Sequence, residues 1–301
     1  MMDKECINSI IKFIKQSNKF DLINIRPMMI KSDGTFKTNM NFCEIMFNKS
    51  SLSEALFAGS FLFTIFDGYL ENKYSLEKGA SFIKHYNGLP ENTDIEKISK
   101  NCYRIMKIIR NGIQHSISIV TYSDSDDYNI NYHYRRTSYK LNISKEGVKC
   151  LYTLIMNIIQ EKIMGIDKKY MTQGHYIGIM NTLHNNMINE IKVISDDIEG
   201  DLLCISDELF LRKFVRYPVN NPNIVHEDDQ SITFLHIENN PTDDEKSNEY
   251  VYSTDYKYKD FLLPQEIGKI TKGNGKSFLE RNKSATIRFY KYDLECKWKM
   301  S

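Results

Sequence analysis

Thr93-Asp94-Ile95-Glu96 has the pattern of a capping box, in which a threonine and a glutamate satisfy the free amides at a helix start. Ile95, Ile98, Cys102, Ile105, Ile109 and Ile113 follow it at helical spacing. A stripe of that length has to be buried, so the segment commits the chain to packing one amphipathic helix against other apolar elements. A second capping box, Ser51-Leu52-Ser53-Glu54, opens an apolar run to Leu70 and predicts a mostly buried helix over about 51–73. Ser144 caps a further predicted helix through about Ile166, packed by Val148, Leu151, Leu154, Ile155 and Ile158. Ile7, Ile10, Ile11 and Ile14 mark a first helix within 3–19, before Arg26-Pro27 and Ser32-Asp33-Gly34 break the pattern.

Between these helices, Tyr128 to Tyr134 and Tyr139 to Ile143 alternate polar and apolar residues around a turn near Arg135 to Ser138, as a β-hairpin does. Beyond residue 170 the periodicity weakens. Ile177 to Ile194 reads as helix, Ser231 to Glu238 and Ala285 to Tyr292 as strands, and Glu238 to Asn248 as a polar, acidic loop. The expected architecture is mainly α, a helical domain over 1–168 with an inserted β-hairpin, followed by a smaller mixed α/β accessory domain over 169–301.

A chain of 301 residues, 41% hydrophobic and 26% charged, can bury a full core. Forty basic residues against 39 acidic ones give a net charge of +1, which excludes a global field drawing the chain to nucleic acid or an anionic membrane. Any contact with RNA must then be local. The six cysteines form no CxxC pair, which suits reduced thiols in a cytosol. The longest mostly apolar stretch, Ala55 to Phe66, would span about 18 Å as a helix against about 30 Å of bilayer hydrocarbon. No membrane contact is expected, and the start does not read as a signal peptide, so the expected location is cytoplasmic.

The chemically pointed segment is Arg110-Asn111-Gly112-Ile113-Gln114-His115, at the end of the Thr93-capped helix. At about 100° per residue, Arg110 falls about 90° to one side of the apolar stripe and His115 about 130° to the other. Arg104, Ile108, Asn111 and His115 line up on the far face. An arginine fork can hold phosphate oxygens and neutralise charge that grows in a transition state. Histidine can take a proton from a ribose 2′-hydroxyl or give one to a leaving oxygen near neutral pH. This chemistry calls for neither metal nor cofactor.

Arg-Asn-x-x-x-His at the end of an amphipathic helix, followed by a hairpin and another helix, resembles the HEPN superfamily over about residues 50–167. The resemblance implies a ribonuclease or RNA-binding relative of the kind found in toxin–antitoxin, abortive-infection and CRISPR-linked defence systems. It implies a homodimer in which both copies of Arg110 and His115 share one cleft on single-stranded RNA. It assigns Arg110 to phosphate binding and transition-state charge, His115 to general acid/base work and Asn111 to orienting the histidine or the scissile group. An antitoxin, a sensor or a phage-derived trigger is a further partner that the resemblance allows. Glu71, Asp67 and Arg104 are candidates, from helix position, to complete the site.

Plainer readings stand beside this one. Arg110 to His115 also suits a solvated helix end, with Gly112 helping the chain turn out, or a non-catalytic dimerisation or binding module. Asp124-Ser125-Asp126-Asp127-Tyr128 has calcium-like spacing but lacks the glycine and closing glutamate of such a loop. His175, His184, His226 and His236 are scattered without zinc spacing. Lys272 to Ser277 ends in Gly-Lys-Ser, but Ile270 stands where a phosphate loop needs its first glycine. Arg288 to Tyr292 and Lys297-Trp298-Lys299 interleave bases with aromatics, as an RNA-stacking surface or a half-buried strand would.

Overall fold

The apolar run after Ser51 folds as helix α1 (Leu52–Lys73). The computed structural model describes residues 9, 11–14, 52–115, 120–122, 127–164, 166, 171–206, 209–211, 215–237, 252–271, 285–294 and 296–300. Most of the expected first helix, the Arg26 to Gly34 break, the Ser51 cap, the acidic 238–248 loop and the 272–277 segment lie outside them. A short helix α2 (Phe82–Gly88), which periodicity does not announce, ends at Leu89 in the extended conformation that the following Pro90 favours. Helix α3 (Asp94–His115) starts at the capping box: Thr93 N–H donates to Glu96 Oε2 at 3.0 Å and Glu96 N–H to Thr93 Oγ1 at 3.3 Å.

These described residues fall into two compact units, one of 52–161 and 180–206 with 11–14, the other of 162–179 and 209–300. The chain therefore passes between the units more than once. In the first unit α3 is central, packed by α1 and α2 and by the elements that follow it. Strands β1 (Val120–Tyr122), β2 (Asp127–Tyr134) and β3 (Thr137–Ser144) form an antiparallel meander, and β2 pairs with β3 up to Tyr134 opposite Thr137 around a two-residue loop. Tyr128, Ile130, Tyr132, Tyr139, Leu141 and Ile143 point inward, as the alternation predicts. Helix α4 (Lys145–Gln160) is capped by Ser144, whose Oγ accepts Gly147 N–H at 3.1 Å. It ends at Glu161, in left-handed backbone (φ 51°), short of the expected 166.

Helix α5 (Gln173–Asn189) stops before the expected 194, and β4 (Ile191–Ser195) joins β3 as the fourth strand of the sheet. Ile188, Ile191 and Ile194 at spacing three imitate a helix, but the open edge of β3 offers backbone partners that local periodicity cannot reveal.

The second unit holds two more sheets. Strands β6 (Ile224–Glu227), β7 (Ser231–Leu235), β10 (Lys269–Thr271) and β11 (Thr286–Tyr290) are ordered β10-β11-β7-β6, so the two expected strands pair with one another. Strands β5 (Val215–Val219), β8 (Tyr252–Tyr258) and β9 (Phe261–Pro264) make the third sheet, with β5 and β8 parallel. Arg216, fully buried on β5, is held by Asp255 on β8 (Nε to Oδ2 2.9 Å) and by Glu266 (2.9 Å). With three sheets among the described residues, the protein is mixed α/β, which corrects the expectation of a mainly α chain. Of the strands not expected, β4 and β5 pair with partners distant in sequence, and most of the others are only three or four residues long, too short for alternation to mark them.

As far as Ile108 the far face of α3 is closed, contrary to its reading as an open stripe. Residues 98–109 are all buried. The segment after β4 lies along the polar side of the helix. Arg104 grips Asp196 through Nε (3.0 Å) and Nη2 (2.8 Å) and donates to the carbonyls of Ile198 and Gly200 (both 2.9 Å). Lys107 pairs with Asp197. The Asn101 amide exchanges two bonds with the Leu203 backbone (2.8 and 2.9 Å) and donates to His184 Nε2 (2.9 Å). Asp94 accepts Ser206 N–H at 3.0 Å.

Gly112 sits inside α3 and is buried against β2, where an added Cβ would lie 2.6 Å from Ile130 Cγ2. The residue is thus a close-packing position, and it does not turn the chain out of the helix. Gly112→Ala is expected to lower unfolding free energy by about 1–2 kcal/mol, overpacking outweighing the better helix propensity of alanine. Urea unfolding checks this, and a variant as stable as wild type would show that the contact relaxes freely.

Candidate active site at the end of helix α3

Arg110 lies three residues beyond Lys107, which pairs with Asp197 of the 196–206 segment. It is half-buried, its Nη1 donates to Asn111 Oδ1 at 3.0 Å, and its guanidinium lies over the Phe63 ring of α1 at 5.7 Å. Among the described residues Arg110 has no carboxylate partner, whereas Arg104 is locked by one and Arg216 by two. Asn111 is half-buried beside Tyr132 of β2, whose hydroxyl is pushed far above the ordinary phenol range by burial, with Asn111 opposing. His115 is the last residue of α3, and its side chain lies outside the described residues. The structure therefore brings Arg110 and Asn111 together and places only the backbone of His115.

Arg110 ends a column of stacked groups. Phe63 stacks on Tyr103 (5.4 Å between centroids, 19° between planes), Tyr103 on Phe82 of α2 (4.7 Å, 15°), and Lys107 Nζ lies over Phe82 at 4.3 Å. Tyr103, Lys107 and Arg110 share one face of α3, at spacings of four and three. The aromatic rings orient the arginine while leaving its polar edge unpaired with acid.

Of the three residues considered for completing the site, Arg104 is excluded by its burial against Asp196. Asp67 and Glu71 belong instead to a polar cluster under the column. Tyr103 donates to Asp67 Oδ1 at 2.5 Å, and His85 Nδ1 lies 3.1 Å from the same oxygen. His85 Nε2 donates to the Glu77 carbonyl at 2.7 Å and lies 3.6 Å from Glu71 Oε1, which also accepts Gly79 N–H at 3.1 Å. The donor atoms of Asp67, Glu71 and His85 fall within 4.8 Å of one another, a spacing that could hold a cation. With acceptors at both ring nitrogens, the hydrogen-bond pattern is also that of a protonated imidazole. Burial acts against that charge, but the Glu77 carbonyl, Asp67 and Glu71 outweigh it and raise the His85 pKa above its usual value. Sequence reasoning missed His85, because the short α2 that carries it has no periodic signal.

The other singled-out residues stay apart. His175 meets Thr172 (2.7 Å) and Asp255 (3.2 Å), His236 meets Tyr256 (2.7 Å), and His226 meets Asp228 (3.1 Å) at the surface. Burial lowers the His184 pKa to about 4. Asp127 is buried and pairs with Lys192, and Tyr128 is a core residue of β2, while Asp124, Ser125 and Asp126 lie outside the described residues. In the C-terminal stretch Phe289 and Trp298 are core residues; Phe289 on β11 fits the half-buried strand reading, whereas Trp298 is buried from a 3-10 turn (Cys296–Trp298), which corrects the strand reading there.

In the folded protein His85 is expected to titrate above its ordinary value of 6.5 and to move down on Asp67→Asn. A group raised on folding stabilises fully below its unfolded pKa, so this contribution should fade as pH rises through the raised value. Histidine ring-proton NMR checks it; titration below 6.5, or indifference to Asp67→Asn, would refute the clamped imidazolium. No family model matches the chain, and comparisons with curated proteins and with solved structures find no match.

Proposed function

We propose that the end of α3 is the active site of a metal-independent endoribonuclease of HEPN type, acting on single-stranded RNA as a toxin or anti-phage effector in the cytosol. The observation that carries this reading is Arg110, a half-buried guanidinium held by an aromatic column and an amide, with no carboxylate on it among the described residues. Such a group is ready for an anion, and the substrate's phosphodiester supplies one. Among the described residues no helix is long and apolar enough to cross a membrane, in keeping with a substrate met in water.

In this mechanism His115 takes the proton of a ribose 2′-hydroxyl as the oxygen attacks phosphorus. Arg110 neutralises the charge that grows on the non-bridging oxygens. The bond to the 5′-oxygen breaks, that oxygen receives a proton, and the products are a 2′,3′-cyclic phosphate and a 5′-hydroxyl. Asn111, bonded to Arg110, orients the fork. Two protomers meeting at the ends of their α3 helices would supply one histidine as base and the other as acid.

Purified chain incubated in EDTA with a single-stranded RNA is expected to leave cyclic-phosphate ends, and Arg110→Ala and His115→Ala should each slow cleavage by about 10²-fold or more. Wild type that binds RNA without cutting it would instead indicate the non-catalytic binding module. Cleavage that persists in both variants would place the chemistry elsewhere.

A further inference from the structure

The β2–β3 hairpin carries a local charge that the chain as a whole lacks. From Tyr128 to Ser144 there is no acidic residue, yet the stretch holds His133, Arg135, Arg136 and Lys140 in a chain of net charge +1. All four are exposed. Among the described residues none of them has a carboxylate partner, whereas Lys73, Lys84, Lys100, Lys149 and Lys192 are each paired with one.

The loop itself is unusual. Arg135 holds φ at +56° in a two-residue turn, a backbone state that glycine or asparagine adopts far more easily. The arginine is kept there in spite of its strain, and its guanidinium lies over the Tyr134 ring at 5.2 Å. Tyr134 is 43% exposed, so its ring, with the Arg135 guanidinium beside it, offers a surface on which a base can stack. Asn131 lies opposite Lys140 and His133 opposite Ser138, which puts His133 and Lys140 on the same outer face. Tyr134 is the next inward position after Tyr132, about 7 Å further along the strand, and Tyr132 is the neighbour of Asn111. The basic tip is therefore one pleat repeat away from the candidate site.

We infer that the hairpin tip docks single-stranded RNA on the Tyr134 side of the sheet, with Arg135 and Arg136 of the turn against the phosphodiester backbone and Tyr134 beneath a base, and feeds the strand toward Arg110, while His133 and Lys140 add to the local positive field from the outer face. The inference rests on the ribonuclease reading for its substrate. Positive charge without carboxylate partners among the described residues, an exposed aromatic ring and proximity to Asn111 together favour a polyanion that also has bases.

Fluorescence anisotropy with a labelled 2′-O-methyl RNA 12-mer tests it, because that probe has no free 2′-hydroxyl and survives even if the protein cuts RNA. Arg135→Glu combined with Arg136→Glu should weaken binding at least tenfold at low salt. It should also reduce the slope of log affinity against log salt by about 1.4, at about 0.7 per lost phosphate contact. Lys257→Glu with Lys269→Glu, the same charge change on exposed residues of the second unit, should leave affinity within about twofold. Arg135→Gly relieves the backbone strain, so it should fold at least as well as wild type and still bind less tightly. Unchanged affinity and salt slope in the folded hairpin variants, or no binding of the probe by wild type, would overturn the docking surface. Hairpin-independent binding with cleavage lost in His115→Ala would reject the docking and keep the nuclease; hairpin-dependent binding without any RNA cleavage would do the reverse.

Discussion

The pairing of Arg104 with Asp196 is the contact on which the first unit depends. The Asp196 side chain is fully buried, and the Arg104 guanidinium is shared between its carboxylate and the backbone carbonyls of Ile198, Gly200 and Asp201. A buried carboxylate left without its arginine keeps its full desolvation cost, so this pair is worth far more intact than either half. Asn101 and Asp94 extend the same attachment by one and two further stretches along α3. A helix whose apolar stripe faces α1, α4 and the sheet thus has its polar stripe satisfied as well.

That arrangement divides α3 into two parts. From Asp94 to Lys107, the side chains of Asp94, Asn101, Arg104 and Lys107 are spent on the segment after β4, and that of Tyr103 on α1. Arg110 is the first basic residue beyond that cover, and an aromatic column holds it where an acid holds Arg104 and Arg216. The column begins in α2 and passes through Tyr103, so the Asp67–His85 cluster that fixes Tyr103 also fixes the wall behind Arg110. Gly112 completes the setting by letting the helix end close on β2, which brings Asn111 beside Tyr132.

What was legible in the sequence was what is decided locally. The Thr93–Glu96 box, the Ser144 cap and the alternation of β2 and β3 each depend on a few neighbouring residues, and each is found where its pattern lies. Strand β4, like β5 in the second unit, pairs with a strand distant in sequence, so Ile188, Ile191 and Ile194 read as helix when β4 in fact completes a sheet. The stripe of Arg104, Ile108, Asn111 and His115 was visible, but a single helix cannot report that residues 196–206 cover half of it. For the same reason Arg110 and Asn111 could be singled out while Arg104 could not be separated from them. Asp67 and Glu71 could be guessed from helix position, but their link to His85 runs through a helix with no sequence signal.

The division of α3 into a structural part and an open end is tested most directly by measuring unfolding free energy and RNA cleavage on the same preparations of Arg104→Ala and Arg110→Ala. Arg104→Ala should lose about 3–5 kcal/mol of stability by stranding Asp196. Arg110→Ala should stay within about 1 kcal/mol of wild type and lose cleavage. If Arg110→Ala is destabilised as severely as Arg104→Ala, or is stable and cuts RNA at the wild-type rate, Arg110 is not the open, anion-binding end of the helix and the account fails.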